Sequence, residues 1–292
     1  NANEYASLLP PSWKDVIAVW MHEDIPSFDC GGFVVGDTPR TAFLFVKSDG
    51  ILSGKPFFDA VFEYVGCKVV WEYDEGTSFD LSTVSSDRIK VATVTGPARK
   101  ILLGERTALN MLARAAGIAT KARKVVDIAR KAGFKGRVAG TRKTTPGFRL
   151  VEKYSLLVGG ADTHRYDLSS MIMLKDNHIW SAGNITKAVQ KARSVGGFSI
   201  KIEVECQSQA EAEEAIKAGA DIVMLDNFKP DDLKAAAKSL KTKYPHTIVE
   251  ASGGITKDTI SDYVCDHVDV VSMGNLTQSV PHVDFSLKIQ KQ

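Results

Sequence analysis

The sequence predicts an α/β protein in two parts, a mixed first part and a second part built from six βα units. The first 115 residues interleave β-branched or aromatic segments with single helices, which is typical of an α+β domain. After Arg137, short apolar segments alternate with amphipathic helices, a pattern that predicts parallel strands with helices outside. Six units are fewer than the eight of a complete barrel, so we expect a smaller or partly open α/β barrel.

Capping signals and residue composition predict the elements of the first part. Ser12 as N-cap, with Asp15 closing a capping box, predicts a helix over 12–21. Strands are predicted at 33–35, 41–46, 68–73 and 88–95, with a helix at 56–65. Pro97 begins a long helical stretch, which we expect to break near Gly117 and to resume to about Lys131.

The six predicted strands of the second part lie at 138–140, 171–174, 200–204, 222–225, 248–249 and 270–272. Their starts are about 22 to 33 residues apart, the length that a βα unit requires. Two of the intervening helices carry clear start signals. Ser208 and Glu211 form a capping box before 212–218, and Pro230 with two following aspartates begins the next helix.

The amino-acid composition limits the classes of partner that the protein is expected to bind. Hydrophobic residues at 44% and charged residues at 25% are the proportions of an ordinary globular protein, and a net charge of +2 predicts neither nucleic-acid nor membrane binding. No apolar run approaches the roughly 20 residues that cross a bilayer. The four cysteines form no CxxC pair and no zinc-site spacing, so we expect reduced thiols and a cytoplasmic protein.

Polar residues follow each predicted strand of the second part, at the edge where parallel α/β folds place their sites. They are Thr141-Arg142-Lys143, Lys175-Asp176-Asn177-His178, Glu203 with Glu205, Asp226-Asn227, Glu250-Ala251-Ser252-Gly253-Gly254 and Gly274-Asn275. One such residue alone is a weak signal because surface ion pairs are common. Recurrence at six strand ends predicts a functional site.

Two of these strand ends carry glycines and are candidates for phosphate binding. In Ser252-Gly253-Gly254 and in 272–274, backbone N–H groups can approach an anion, with helix N-termini adding positive potential. The alternative is that these glycines only form βα turns. Their presence after adjacent strands favours phosphate binding.

Glu205 and Asp226 end neighbouring predicted strands, so their carboxylates can converge on a hard cation such as Mg²⁺ that is shared with ligand oxygens. The alternative is a solvated carboxylate or a salt bridge to Lys201 or Lys143. Glu203 lies on the same strand face as Glu205 and is a second candidate.

The basic residues predict an anion site. They are Arg142, Lys143, His164, Arg165 and Lys175, with Arg106 of the earlier helix as a further candidate. Guanidinium groups bind carboxylates in bidentate fashion, which suits a dicarboxylate, whereas lysine suits a pyrophosphate as a point charge. A histidine alone favours a structural role, but the loop position of His164 beside Arg165 favours ligand contact.

The order and spacing of these motifs resemble the quinolinate phosphoribosyltransferase family. The motifs are Glu105-Arg106-Thr107-Ala108-Leu109-Asn110, Gly140-Thr141-Arg142-Lys143-Thr144-Thr145-Pro146-Gly147, His164-Arg165, Lys175-Asp176-Asn177-His178, Glu203-Val204-Glu205, Leu225-Asp226-Asn227 and Ala251-Ser252-Gly253-Gly254-Ile255. They span most of the chain and show no departure at a position that the family uses.

The resemblance implies a type II phosphoribosyltransferase with an N-terminal α/β sandwich and an α/β barrel. Here the sandwich would be residues 1–115 with the tail 279–292, and the barrel residues 116–278. The implied reaction transfers phosphoribose from phosphoribosyl pyrophosphate to quinolinate with decarboxylation and yields nicotinate mononucleotide for NAD biosynthesis. The implied assembly is a head-to-tail homodimer with shared active sites. Eukaryotic-type members also form hexamers, and the sequence leaves that choice open.

The resemblance also implies residue roles. Arg142, His164, Arg165 and Lys175 would hold the quinolinate carboxylates, with Arg106 supplied by the partner subunit. Glu205 and Asp226 would serve Mg²⁺ and the ribose hydroxyls, and Lys143 would meet the pyrophosphate. Ser252, Gly253, Gly254 and Gly274 would bind the 5-phosphate. The residues assigned to catalysis are Lys143, Lys175, Glu205 and Asp226.

Three other functions stay open at this point. Lys175 at a barrel strand end is also the position of a Schiff-base lysine in an aldolase-type enzyme. A relative that uses nicotinate without decarboxylation is disfavoured by the number of carboxylate-binding cations. A non-catalytic sensor of pyridine dicarboxylates would have no need of paired acidic strand ends for a metal.

Overall fold

The computed structural model describes residues 2–291, which form two compact units. The first unit contains the residues up to Lys121, Pro146–Gly160 and the residues from Ser279 onward. The second contains Ala122–Thr145 and Ala161–Gln278. Residues 146–160, which the sequence-based division placed in the barrel domain, make their contacts within the first unit. The division into domains at residue 115 stays a prediction.

The helices and strands have the following bounds. The helices are α1 (Asp15–Asp24), α2 (Cys30–Val35), α3 (Lys55–Tyr64), α4 (Ala98–Lys131), α5 (Arg149–Val158), α6 (Asp176–Ala182), α7 (Ile185–Gly196), α8 (Gln209–Ala218), α9 (Pro230–Lys243) and α10 (Ile260–Tyr263). The strands are β1 (Pro39–Val46), β2 (Gly50–Ile51), β3 (Lys68–Trp71), β4 (Ser78–Phe79), β5 (Ile89–Pro97), β6 (Arg137–Ala139), β7 (Ile172–Leu174), β8 (Ile202–Cys206), β9 (Ile222–Asp226), β10 (Ile248–Ser252), β11 (Val270–Ser272) and β12 (Phe285–Ile289). Short 3₁₀ helices lie at Ala2–Leu8, Pro11–Lys14, Leu81–Thr83 and Gly274–Leu276.

The first unit is built on a four-stranded antiparallel sheet with the order β12-β1-β5-β3. Helix α3 buries Phe57, Phe58 and Phe62 completely. The ring of Phe58 packs against Trp71 of β3 with 5.2 Å between centroids, and the ring of Phe57 packs against Tyr154 of α5 at 5.4 Å. These aromatic residues therefore form the core of this unit rather than a cofactor site.

The second unit is a six-stranded sheet with the order β6-β11-β10-β9-β8-β7, in which every neighbouring pair is parallel. Helices α7, α8 and α9 pack against the strands that precede or follow them. Within residues 2–291, no ladder joins β6 to β7, so the barrel is partly open, as predicted. No helix in the same range has the length and apolarity needed to span a bilayer.

Two predictions at the start of the chain are wrong. Residues 33–35 are not a strand but the end of helix α2, because the Asp29 carboxylate accepts a hydrogen bond from the Gly32 N–H and caps a helix. The helix expected to begin after Ser12 begins at Asp15 instead, after the 3₁₀ turn Pro11–Lys14. Its N-cap residue, Lys14, makes no side-chain capping bond.

The predicted break near Gly117 is also wrong, since α4 runs without interruption from Ala98 to Lys131. A Cβ atom at Gly117 would collide with the carbonyl oxygen of Pro281. The glycine therefore allows the C-terminal segment to approach the helix closely. The cost in helix propensity is about 1 kcal/mol relative to alanine.

Candidate active site

A cavity of about 650 Å³ lies at the carboxyl ends of the six parallel strands. Most residues predicted for the site line it: Arg142, Lys143, His164, Arg165, Lys175, Glu205, Asp226, Ser252, Gly253, Gly254 and Gly274. Arg106 is an exposed residue of α4. Glu203 is fully buried and faces His164.

Two arginines place guanidinium groups in this cavity. Arg165 donates from Nη1 to the backbone oxygen of Met171 over 3.2 Å, and burial, with the Arg142 charge close by, lowers the pKa of its guanidinium. The Nε of Arg142 is buried and has no hydrogen-bond partner within the part of the chain that the structure describes. Two like charges and an unused buried donor favour an anionic ligand at this position.

The two acidic candidates have different partners. Glu205 forms an ion pair with Lys175, with 3.0 Å between Oε2 and Nζ, rather than with Lys201 or Lys143, the partners considered as an alternative to cation binding. Asp226 Oδ2 accepts hydrogen bonds from Asn227 Nδ2 at 2.5 Å and from Gln207 Nε2 at 3.4 Å. The two carboxylates end adjacent parallel strands, β8 and β9, and both line the cavity.

The turn after β10 has the backbone that a phosphate loop requires. Gly253 and Gly254 have φ values of 96° and 64°, a left-handed region that favours glycine. A Cβ atom at Gly253 would lie 2.6 Å from the backbone nitrogen of Asn227, so this turn is also tightly packed. The segments that follow β10 and β11 are short, a four-residue α10 and a 3₁₀ turn. Backbone N–H groups, rather than the dipoles of long helices, are therefore the groups available here to bind an anion.

Lys143 and Gly274 lie together at the ends of β6 and β11. A Cβ atom at Gly274 would be 2.7 Å from Lys143 Cδ, so the lysine side chain passes directly over the glycine. Thr277 Oγ1 donates a 2.6 Å hydrogen bond to the backbone oxygen of Lys143. The close approach fixes where the lysine enters the cavity.

A buried cluster of His164, Glu203 and Glu250 lies at one side of the cavity. His164 Nε2 is 3.1 Å from Glu250 Oε2 and 3.9 Å from Glu203 Oε2, and the Glu203 and Glu250 residues are 0% and 2% exposed. Burial, with the Glu250 carboxylate beside it, raises the pKa of Glu203 to about 9. Burial therefore favours the uncharged form of Glu203, and within the described residues neither of its side-chain oxygens has a hydrogen-bond partner.

Comparison with known proteins decides the family. A profile described as Quinolinate phosphoribosyl transferase, C-terminal domain, matches residues 118–288, and the corresponding N-terminal domain profile matches residues 24–116. This chain belongs to the quinolinate phosphoribosyltransferase family. The family resemblance stated from the motifs is thereby confirmed.

Relatives and solved structures agree with this membership. A carboxylating nicotinate-nucleotide pyrophosphorylase from Dictyostelium discoideum is 56% identical over 300 residues, covering 99% of this chain and 100% of that protein. One from Homo sapiens is 52% identical over 290 residues, covering 99% and 96%. The structure of the nicotinate-nucleotide pyrophosphorylase from Francisella tularensis has a TM-score of 0.86 and 32% identity, covering 97% of this chain and 98% of that one.

Several residues lining the cavity of this quinolinate phosphoribosyltransferase family member were given no role from the sequence. Met173 and Met224 are apolar lining residues, and Met224 lies in register with both Glu205 and Glu250. The sequence did carry a signal for Glu250, because a charged residue inside a short apolar strand of a parallel sheet is unusual. Methionines on such strands carry no such signal, since they are ordinary core residues.

Proposed function

We propose that this chain transfers phosphoribose from phosphoribosyl pyrophosphate to quinolinate and releases carbon dioxide, giving nicotinate mononucleotide and pyrophosphate. The observation that carries the proposal is one cavity in which guanidinium and ammonium groups lie beside a pair of carboxylates at adjacent strand ends. The cations suit the anionic groups of both substrates. Family membership supports the same reaction.

The quinolinate carboxylates are assigned to Arg142, Arg165 and Lys175. The unused Nε donor of Arg142 and the crowding of its charge against Arg165 are both relieved when a carboxylate binds between them. The ion pair between Lys175 and Glu205 keeps the ammonium group at the mouth of this site before the substrate arrives. His164 lies close by and is bonded to Glu250.

Glu205 and Asp226 fit a magnesium ion in their chemistry, because both offer carboxylate oxygens into the cavity from adjacent strand ends. One or two carboxylates are the usual protein contribution to a Mg²⁺ site that also binds substrate phosphates. Mg²⁺ bound there would neutralise negative charge on the pyrophosphate leaving group. Lys143, the residue assigned to the pyrophosphate, adds a positive charge to the cavity, and its side chain passes over Gly274, which is assigned to the 5-phosphate.

The reaction then needs positioning more than acid–base groups. The pyridine nitrogen of quinolinate forms a bond to ribose C1 while the bond from C1 to the pyrophosphate oxygen breaks. The ring nitrogen becomes cationic, so the bond to the 2-carboxylate can break, with its electron pair remaining at ring C2 until a solvent proton replaces the lost carbon dioxide. We assign no residue as a general base, and the protein contributes orientation and electrostatic stabilisation.

The test is to incubate the protein with quinolinate, phosphoribosyl pyrophosphate and Mg²⁺ and to quantify carbon dioxide and nicotinate mononucleotide together. Equal molar yields are expected, with no product when Mg²⁺ is chelated. Nicotinate should not replace quinolinate as a substrate. A borohydride-reducible adduct on Lys175, or ligand binding without turnover, would instead support the aldolase-type or the sensor alternative.

We further propose a homodimer in which Arg106 enters the partner's site. Two features support self-association. Arg106 is exposed on α4, and the segment around α2 presents the large apolar side chains Phe28, Phe33 and Val34, each at least 85% exposed. Such a patch is typical of a protein–protein interface. Assembly beyond a dimer stays an expectation of the family resemblance, and a cytoplasmic location stays an expectation from the composition of the sequence.

A further inference from the structure

The hydrogen bonds around His164 determine which of its ring nitrogens carries a proton. Nδ1 accepts a 2.8 Å hydrogen bond from the backbone N–H of Arg165. A backbone N–H can only donate, so Nδ1 has no proton. The ring proton must then lie on Nε2, which is 3.1 Å from Glu250 Oε2 and 3.3 Å from Oε1. His164 is thus a neutral ring that donates to Glu250 and accepts from Arg165.

This arrangement leaves neither ring nitrogen of His164 available for a substrate carboxylate. It also requires an uncommon backbone, because His164 has a φ of 58° without being glycine. The backbone N–H of His164 donates a 2.8 Å hydrogen bond to Asp162 Oδ1. Asp162 in turn forms an isolated parallel β-bridge with Ala139 of β6. The loop carrying Arg165 is therefore held at two points, by the edge of the sheet and by Glu250.

We propose that Glu250 is a positioning residue of the quinolinate site, which acts through the Nε2–H of His164 to hold the backbone and guanidinium group of Arg165 toward the cavity. This inference rests on the proposed function, since it concerns the site that binds the substrate dicarboxylate. Glu250 does not touch the substrate itself. Its contribution reaches the ligand through a chain of two hydrogen bonds.

The same three side chains have the spacing of a metal site, with ligand atoms within 4.8 Å of one another. Two observations make a cation the poorer interpretation. Both nitrogens of His164 already have protein partners, and the charge of Arg165 acts on the same buried carboxyl pair. A cation here would lie next to a guanidinium group and would have to displace the bond from His164 to Glu250.

The kinetic test compares Glu250→Leu, which removes the acceptor, with Glu250→Gln, which keeps an amide oxygen for the Nε2–H. We expect Glu250→Leu to raise KM for quinolinate by about 10- to 100-fold, the loss typical of a buried donor left without its acceptor. We expect kcat and KM for phosphoribosyl pyrophosphate to stay within about threefold of wild type, and Glu250→Gln to restore most of the lost affinity.

Asp221→Asn is the matched control. Asp221 is likewise a carboxylate acceptor in this unit, with a 2.8 Å hydrogen bond from the Ile202 N–H and a 2.6 Å bond from Arg193 Nη2, but it lies at the amino end of the strands. It should lower stability without changing KM for quinolinate. Equal losses in Glu250→Gln and Glu250→Leu, or a uniform fall in kcat for both, would overturn the inference.

A second measurement does not depend on turnover or on the folding of the Glu250 variants. Nitrogen-15 NMR of the imidazole rings in the wild-type protein, assigned by comparison with His164→Gln, should show His164 as the neutral Nε2–H tautomer at neutral pH. An imidazolium signal, or the Nδ1–H tautomer, would overturn the proposal. If the wild-type protein forms no nicotinate mononucleotide but the Nε2–H tautomer is seen, the proposed function fails while the hydrogen-bond chain stands.

Discussion

His164 and Asn227 are two non-glycine residues with left-handed backbone conformations, each with a φ of 58°, and both line the cavity. Such conformations cost on the order of 1–3 kcal/mol and persist only where neighbouring bonds hold them. For His164 the bonds come from Asp162 and Glu250. For Asn227 the backbone N–H donates to Ser252 over 3.1 Å. Hydrogen bonds to neighbouring residues thus hold His164 and Asn227 in place at the wall of the cavity.

The packing of Gly253 against Asn227 leads to a prediction at this scale. Gly253→Ala should raise KM for phosphoribosyl pyrophosphate by at least about tenfold, because the added methyl group displaces the turn that is proposed to bind the 5-phosphate. It should also lower the free energy of unfolding by roughly 2–4 kcal/mol, from left-handed strain and overpacking together. Steady-state kinetics and chemical denaturation measure the two effects.

Gly219→Ala is the matched control. Gly219 has a φ of 103°, but apart from its chain neighbours no atom of the described residues lies within 4 Å of the position that an added methyl group would take. It carries the backbone strain alone, so it should cost about 1–2 kcal/mol and leave both KM values unchanged. If the two variants behave alike, close packing is not what makes glycine necessary at position 253.

At the scale of elements, the start of α3 depends on a carboxylate from elsewhere in the chain. Glu75 accepts hydrogen bonds from the N–H groups of Gly54 at 2.6 Å and Lys55 at 3.1 Å, so it caps the helix in place of a local side chain. The residue is only 6% exposed. Burial raises the pKa of Glu75 from 4.5 to about 7, although both hydrogen bonds oppose the shift.

This cap predicts a pH dependence of stability. Between pH 4.5 and about 7, the folded state keeps the Glu75 proton while the unfolded state has released it. The contribution of Glu75 to stability is therefore complete below pH 4.5 and is lost as the pH rises through 7. In Glu75→Gln, which cannot titrate, the unfolding free energy should decline less over this interval, by on the order of 3 kcal/mol.

Denaturation at several pH values, followed by the fluorescence of Trp13, Trp20 and Trp71 in the first unit, measures this difference. Wild-type and Glu75→Gln curves that run parallel from pH 4.5 to 7 would show that Glu75 does not titrate in this interval.

Element predictions succeeded at two local start signals of the second unit, although the capping box expected at Ser12 did not form. The Ser208 side chain accepts from the Glu211 N–H at the start of α8, and Pro230 begins α9, both as predicted. They failed where a tertiary contact or a capping bond outweighed composition, as at Gly117 and in α2. Apolar runs alone do not distinguish a short strand from a short helix.

At the scale of the whole molecule, strand β12 near the C-terminus completes the sheet formed by the N-terminal strands of the first unit. Strand β12 pairs antiparallel with β1, with Leu287 opposite Leu44 in the ladder. Leu44 and Leu287 are 0% and 5% exposed. The first unit therefore cannot form its complete sheet without residues 285–289. The pairing of β12 with β1 is a contact of very high sequence separation.

Leu287→Ala should lower the free energy of unfolding of the first unit by about 2–4 kcal/mol, the usual cost of a cavity in a core. Lys288→Ala, at the neighbouring exposed position, should change it by less than about 0.5 kcal/mol. Equilibrium denaturation of both variants provides the comparison. Equal, small effects would mean that β12 adds little to the stability of the unit.

The proposed exchange of Arg106 between subunits predicts complementation. Arg106→Ala and Lys143→Ala should each be inactive alone. An equimolar mixture that exchanges subunits should recover about a quarter of wild-type activity, because half of the dimers are hybrids and half of the sites in each hybrid are intact. Mixing Lys143→Ala with Lys175→Ala is the control, since both residues lie in one cavity and no hybrid site is complete. Equal failure of both mixtures would contradict the shared site.

The sequence by itself determined the six parallel strands, the residues at their carboxyl ends and the family. These follow from local periodicity and from the spacing of the motifs, since the carboxyl ends of all strands in a parallel sheet lie at the same edge of the sheet. Tertiary structure alone decided which groups are paired there: Lys175 with Glu205, and His164 with Glu250. Hydrogen-bond partners depend on distances of a few ångströms between strands far apart in the chain, and strand periodicity does not carry that information.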